Sequence, residues 1–260
     1  VSPFPESELR QDAYLGGRVM LWQPRRGYRA GVDPVLLAAT LPAAGGERVL
    51  ELGCGAGAAL LCLAARVPGL SLTGVERDPA YAALARRNGG PTLEVVEADL
   101  GALPADLRQR QFDHVLANPP YYRRSASRPS DDPAREAAHG EDRPLGDWVR
   151  VAAKRLAPKG QLHLIQRAER LPELLAALPS GMGSVEVLPL AARAGRAPER
   201  IILRAKKNGR GAFHLHAPLV LHRGAAHPGD AGEDYVPEVV SALREGAALP
   251  FPAVGRKPRI

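Results

Sequence analysis

The chain has 260 residues, 45% of them hydrophobic, with a net charge of +7 and an isoelectric point near 9.8; this fits one large α/β unit or two small ones and excludes a disordered or fibrous chain. Its cysteines, Cys54 and Cys62, are too few for a disulfide framework or a four-ligand metal site and read as reduced thiols of a cytoplasmic protein. The charge suits a polyanionic partner such as nucleic acid, although an Arg-rich chain with abundant Ala, Gly, Pro and Leu can also reflect genomic composition; no apolar run approaches the roughly 18 residues of a membrane span.

Residues Val1 to Asp12 read as a loose arm without the basic-then-apolar pattern of a leader. Gly16-Gly17 is a tight-turn signal inside Tyr14 to Trp22, so a small hairpin is expected there. The segment Gln23 to Gly31 is polar, basic and flanked by glycine, hence a loop carrying Tyr28 and Arg29. Asp33-Pro34 reads as a helix N-cap followed by proline at the first helical position, opening a short helix that ends near Pro42.

Arg48 to Leu52 is the first core strand. It runs into Gly53-Cys54-Gly55-Ala56-Gly57 and then into a helix-favouring stretch, Ala58 to Val67. Strand, glycine turn and helix are the front half of a nucleotide-binding βαβ unit, in which glycine lets the backbone turn sharply and approach a ligand. The spacing is G-x-G-x-G rather than the dinucleotide G-x-G-x-x-G. Leu70 to Glu76 is the second strand. Glu76 ends it about 20 residues after the glycines, where a ribose-binding carboxylate belongs. Asp78-Pro79 repeats the cap-plus-proline signal and starts a helix that stops at Gly89-Gly90. Leu93 to Ala98 is the third strand, and the acid after it, Asp99, can accept from an exocyclic amine or simply cap the next turn. Residues 101–110 form a polar connector.

The fourth strand, Phe112 to Ala117, ends in Asn118-Pro119-Pro120-Tyr121. Neither proline has an N–H, and Asn118 is pushed out of the helical region by the proline after it. The result is a stiff turn presenting an amide, free carbonyls and an aromatic ring at a sheet end. It suits a planar substrate with an NH2 group, whose hydrogens Asn118 Oδ1 and the Pro119 carbonyl can accept. Pro-Pro can also act as a plain loop breaker.

Arg123 to Arg143 is poor in apolar residues and reads as a long loop in which Arg123, Arg124 and Arg128 can meet phosphates. Pro144 to Ala157 is helical, Gln161 to Gln166 a fifth strand, Leu171 to Leu178 a helix. Ser184 to Leu190 and Glu199 to Lys206 form an antiparallel terminal pair. Arg204, Lys206, Lys207 and Arg210 make a candidate patch for nucleic-acid backbone. The tail carries a strand over Phe213 to Leu221 and a helix over Val236 to Arg244. His214 and His216 share a strand face, but no carboxylate or Cys completes a recognisable zinc site, and no metal is expected.

Alternating β and α elements followed by the strand pair predict a doubly wound, mostly parallel seven-stranded α/β sheet with ligands at the strand carboxyl ends. The expected division is 1–32 as arm, hairpin and loop, 33–210 as the sheet domain, and 211–260 as an extension packed on it. Glycine loop, Glu76, Asp99 and N-P-P-Y follow strands one to four in order. In this the chain resembles the class I methyltransferases that use S-adenosylmethionine (SAM), within them the N-P-P-Y group. Tyr14 to Arg18, Gly27 to Asp33 and Leu36 to Ala39 are similar to the bacterial family that methylates N6 of an adenine beside the anticodon of a valine tRNA.

That resemblance implies a SAM-dependent enzyme acting on RNA. It places SAM against Glu51, Gly53, Cys54, Gly55, Gly57, Arg77 and Asn118, with Glu76 at the ribose and Asp99 and Leu100 at the adenine. Asp33 is expected to face the same pocket. Asn118, Pro119, Pro120 and Tyr121 are expected to hold the target base, and Tyr28, Arg29, Arg123, Arg124, Arg204, Lys206 and Lys207 the RNA. Relatives with the same motif modify glutamine in proteins, ribosomal RNA or DNA. A nicotinamide dehydrogenase would share the first strand, loop and acid but not N-P-P-Y. An RNA-binding protein with a vestigial SAM fold would keep the motifs without turnover.

Overall fold

A computed structural model describes residues 4–123, 140–141, 143–224 and 234–253. The arm is not loose throughout. Leu9–Tyr14 (β1) pairs antiparallel with Val19–Pro24 (β2), and the turn between them uses Gly16 and Gly17 at φ +65° and +92°, angles that suit glycine. The hairpin is longer than expected because Leu9 has a place to be buried, in a cluster with Ala56 and Leu84.

Asp33–Thr40 (α1) begins one residue earlier than a cap at Asp33 would place it. Val32 is the N-cap and no side chain caps the helix, because the Asp33 carboxylate is engaged elsewhere. Arg48–Leu52 (β3), Ala58–Arg66 (α2), Ser71–Glu76 (β4), Pro79–Gly89 (α3) and Leu93–Glu97 (β5) follow as the sequence predicts. Asp78 does cap α3, accepting from the Ala80 and Tyr81 amides. The polar connector contains a short helix, Ala105–Gln109 (α4), anchored by buried Leu107. Phe112–Ala117 (β6) then leads to the N-P-P-Y turn. Tyr122–Arg123 (β7) pairs in parallel with Gly140–Glu141 (β8); most of the long loop expected between them lies outside the described residues.

Leu145–Arg155 (α5), Leu156–Arg167 (β9), Leu171–Ala177 (α6), Met182–Ala191 (β10) and Arg200–Lys207 (β11) complete the main body. The single tail strand expected over Phe213 to Leu221 is two short ones, His214–Leu215 (β12) and Leu219–Val220 (β13), because Pro218 between them cannot donate to a ladder. The tail helix is a short α segment, Pro237–Val240 (α7), followed by one π turn that Gly246 ends in the left-handed region.

The main sheet runs β12-β10-β11-β9-β6-β3-β4-β5, with β13 also on β10. The seven expected long strands are all present, and the two short tail strands extend its edge. Strands β5, β4, β3, β6 and β9 are mutually parallel, and β11 is antiparallel to both β9 and β10. The chain starts in the middle at β3, moves outward to β5, then crosses back to β6. Ligand crevices in such sheets lie at that reversal, outside the carboxyl ends.

Alternation along the strands divides the core. Val49 joins the layer of α1, α2 and the tail, while Leu50 and Leu52 face the layer of α5 and α6. The tail is held on α1 by Leu249 N donating to Ala39 O at 2.8 Å and by burial of Val239, Ala242 and Phe251. Gly74 in β4 leaves room for Cys54, since a Cβ there would meet its Sγ at 2.6 Å. Both cysteines are buried free thiols. Among the described residues no helix is long and apolar enough to cross a membrane.

One buried polar chain crosses the sheet. His114 Nδ1 lies 3.2 Å from His163 Nε2, and His114 Nε2 lies 3.1 Å from Glu47 Oε2. Burial holds both imidazoles below the ordinary 6.5; Glu47 opposes the shift at His114, whereas His114 and Arg204 reinforce it at His163. The native state therefore favours neutral rings and the unfolded chain binds more protons once pH falls below the ordinary value. Stability is complete above about pH 6.5 and declines as pH falls through it. Thermal unfolding at pH 7.5 and 5.5 checks this: the melting temperature drops at pH 5.5, and His163→Asn makes the drop smaller. Equal drops in both proteins contradict it.

Candidate active site

A cavity of about 510 Å³ opens at the carboxyl ends of β3, β4, β5 and β6. Of the residues expected at a site, it is lined by Tyr28, Arg29, Asp33, Gly53, Gly55, Glu76, Arg77, Asp99, Leu100 and the whole Asn118 to Tyr121 turn. Glu51, Cys54 and Gly57 are buried and do not line the cavity wall.

The glycine turn is shaped by its neighbours. Gly53, Gly55 and Gly57 have φ of +69°, +53° and +90°, where a side chain is strained. A Cβ on Gly53 would also sit 2.8 Å from the Trp148 ring. Glu76 holds the turn in place, its carboxylate accepting from the Gly55 amide at 2.8 Å and from the Asp78 amide at 2.9 Å. Burial raises the Glu76 pKa, against the pull of these amides. Burial also raises Glu51, reinforced by the negative charge of Glu76. Glu51 Oε2 has no hydrogen-bond partner among the described residues.

Asp99 combines both roles open to it. It caps the turn Leu100–Ala102, accepting from Gly101 N at 2.7 Å, and it lines the cavity. Burial pushes its carboxyl up, but bonds from Arg143 and Gly101 outweigh this and leave it below the usual range.

The N-P-P-Y turn is gripped on two sides. Tyr121 donates its hydroxyl to Asp33 Oδ2 at 2.5 Å, and Arg200 forms an ion pair with Asp33 Oδ1. Burial first, then the Asp33 charge, pushes the Tyr121 phenol well above its ordinary value, so it stays a donor. On the other side Gln166 Nε2 donates to the Pro119 and Pro120 carbonyls at 3.4 and 3.3 Å.

Several wall residues gave no functional signal in the sequence. Tyr81 and Trp148 sit in ordinary amphipathic helices, Phe4 in the arm and Arg143 at the end of the long loop. Phe4, Tyr81 and Tyr28 form an edge-to-face aromatic series, with Tyr81 donating to the Tyr28 carbonyl at 2.9 Å. Trp148 lines the cavity with its indole N–H buried and unpartnered among the described residues.

The basic patch is not brought to the cavity. Arg204 pairs with Glu186 and lies over the Phe251 ring, and Lys207 donates to the Leu156 carbonyl at 2.7 Å. Lys206 registers with Gln161, midway along β9 and away from the end that reaches the N-P-P-Y turn. His216 is bonded to the same Glu186 at 2.9 Å. Arg124 and the Arg123 side chain lie outside the described residues.

The donor set suits a nucleoside carrying a charged amino-acid arm. Glu76 accepts from the Gly55 and Asp78 amides, with the Arg77 amide acting on it as well, and it still lines the cavity, where a carboxylate's several lone-pair sites can also take a ribose hydroxyl. Glu51 supplies one unmatched buried oxygen, Oε2, and Trp148 an unmatched donor and a flat face, among the described residues.

The methyltransferase small domain family matches residues 30–190, more than half of the chain. A relative from Porphyromonas gingivalis named tRNA1(Val) (adenine(37)-N6)-methyltransferase is 33% identical over 157 residues, 56% of this chain and 61% of that protein, so the match spans about three fifths of the relative's length. A protein of the same name from Actinobacillus succinogenes is 30% identical over 190 residues, 70% of this chain and 78% of the relative. Among solved structures, protein Atu636 from Agrobacterium tumefaciens, described as a predicted O-methyltransferase, is 28% identical with a TM-score of 0.68, covering 85% of this chain and all of that one. The chain belongs to the methyltransferase small domain family, and its cofactor is S-adenosylmethionine.

Proposed function

We propose that this chain methylates the exocyclic N6 amine of an adenine in RNA, and that the RNA is a tRNA. The observation that carries the reading is the N-P-P-Y turn in the wall of the cavity that also holds Glu76 and the glycine loop. The names of the tRNA1(Val) relatives support the choice of adenine N6 and of tRNA.

SAM, when bound, supplies an electrophilic methyl group. The glycine turn, Glu76 and Asp99 hold it in place. Asn118 Oδ1 and the second lone pair of the Pro119 carbonyl accept from the two hydrogens of the target amine. An adenine amine is a poor nucleophile because its lone pair is delocalised into the ring. Two acceptors that favour a tetrahedral nitrogen free that lone pair, and they strengthen as positive charge develops on nitrogen. Tyr121, fixed by its hydroxyl, gives the base a face to stack on in place of its lost neighbours. The proton is lost after transfer, when the nitrogen is acidic, so no strong general base is required. On the rim, Arg25 and Arg26 are exposed on the loop that carries Tyr28 and Arg29 into the wall, and in this reading they meet RNA phosphates.

Transfer from labelled SAM to total tRNA, total ribosomal RNA and a protein fraction, followed by nucleoside analysis, tests the proposal. N6-methyladenosine in tRNA is the expected product. Label confined to ribosomal RNA changes the substrate, label confined to protein points to glutamine, and no label in any pool ends the reading. Asn118→Ala should lower kcat by at least about a hundred-fold while the SAM dissociation constant stays within about two-fold; parallel losses would remove Asn118 from its role. Trp22 and Trp148 are the two tryptophans of the chain. SAM should change the intrinsic fluorescence of wild type and of Trp22→Phe but not of Trp148→Phe, and a response that follows Trp22 would place the cofactor elsewhere.

A further inference from the structure

The residues that grip the N-P-P-Y turn come from outside the cofactor fingerprint. Gln166 and Arg200 lie on the antiparallel pair β9 and β11, where Gln166 registers with Ile201 and Arg167 with Arg200. They approach the turn from different directions. Gln166 is fully buried; its Oε1 accepts from the Arg167 amide at 2.9 Å, which orients its NH2 toward the Pro119 and Pro120 carbonyls. Arg200 reaches Asp33 at the start of α1, and Asp33 in turn accepts from the Tyr121 hydroxyl.

We infer that Gln166 and Arg200 are positioning residues for methyl transfer, Gln166 setting the direction of the Pro119 carbonyl and Arg200, through Asp33, setting the plane of the Tyr121 ring. The inference rests on the methyl-transfer reading above. A diproline turn is stiff within itself but can tilt as a unit about the end of β6. Two anchors, one on its carbonyls and one on the ring that follows, remove that tilt. Arg200 contributes more than charge balance. Its guanidinium occupies one carboxylate oxygen of Asp33 and leaves the other aimed at the phenol, so the ring is held by a carboxylate that cannot rotate away. A small displacement of groups that align a reacting nitrogen costs rate far more than it costs cofactor affinity. Residues acting through one shared contact are also non-additive when changed together.

The experiment is a double-mutant cycle on the full chain with saturating RNA and SAM. Arg200→Ala and Tyr121→Phe are each expected to lower kcat by about ten-fold, and the double variant by no more than the worse single. Arg200→Lys should recover part of the loss, because an ammonium pairs with Asp33 but without the guanidinium's fixed fork. Gln166→Leu should lower kcat with SAM affinity unchanged, and Gln166→Glu, which places an acceptor against two carbonyls, should be worse than Gln166→Leu. Additive losses in the cycle, or losses that follow SAM affinity or melting temperature, would overturn the assignment. A readout free of substrate separates this inference from the function it rests on. In 13C-tyrosine-labelled protein the Tyr121 ring signal, identified by its absence from Tyr121→Phe, should shift or broaden in Arg200→Ala. Wild type that methylates no RNA while this signal moves would refute the proposed function and keep the anchor. An unmoved signal refutes the anchor whatever the activity.

Discussion

The Glu76 carboxylate is the point on which the site depends. It stands at the end of β4 and accepts from the amides of Gly55 and Asp78, so one side chain ties the turn after β3 to the start of α3. A buried carboxylate without donors would be costly, and the glycine turn offers one in the Gly55 amide, while its Gly53, Cys54 and Gly57 amides go to the Val75 and Cys54 carbonyls. Each needs the other. The turn can hold three glycines at positive φ because Glu76 fixes it, and Glu76 can remain ionisable in a largely apolar wall because the turn solvates it.

The fold was legible because its signals are local. Strand, glycine turn, strand-end acid and capped helix repeat in a fixed order from Arg48 to Asp99, and each step is set by residues a few positions apart. Asp78 announced itself as a cap and is one. Asp33 gave the same signal and is not a cap, since its carboxylate is taken by residues 88 and 167 positions away. The same distance hid Trp148, Tyr81 and Gln166. Their apolar or polar character suited an ordinary helix or strand, and only the tertiary fold brings Tyr81 and Trp148 into the cavity wall and Gln166 against the N-P-P-Y turn. The Arg204–Arg210 segment shows the opposite case. Its four basic residues, Arg204, Lys206, Lys207 and Arg210, read in sequence as one patch, but in a strand alternate side chains face opposite ways, and Arg204 is engaged by Glu186 and Phe251.

The antiparallel end of the sheet supports the parallel part rather than merely following it. Strand β9 belongs to both: it is parallel to β6 and antiparallel to β11. It therefore extends past the end of β6, and its last residues reach over the turn that β6 delivers. A sheet closed by another parallel strand would bring a connecting helix to that place. Here a strand end brings side chains, and the short tail strands on β10 then cover the edge that the pair would otherwise expose.

The N-terminal ribbon has a different status. Strands β1 and β2 pair with each other and with no strand of the main sheet, and a lone two-stranded ribbon is marginal in water. Its polar attachment to α3 runs through the Asn88 amide, which accepts from the Trp22 backbone N–H and donates to the carbonyls of Trp22 and Ala56, the last of these in the glycine turn. Arg87 beside it stacks on Trp22 and pairs with Glu6. One helical turn thus imitates a missing third strand. The ribbon also sends Leu15, Val19 and Leu21 into the core layer of α1 and α2, so it is bound by apolar packing as well as by this amide, and any shift of it would register directly on the backbone that surrounds the cofactor.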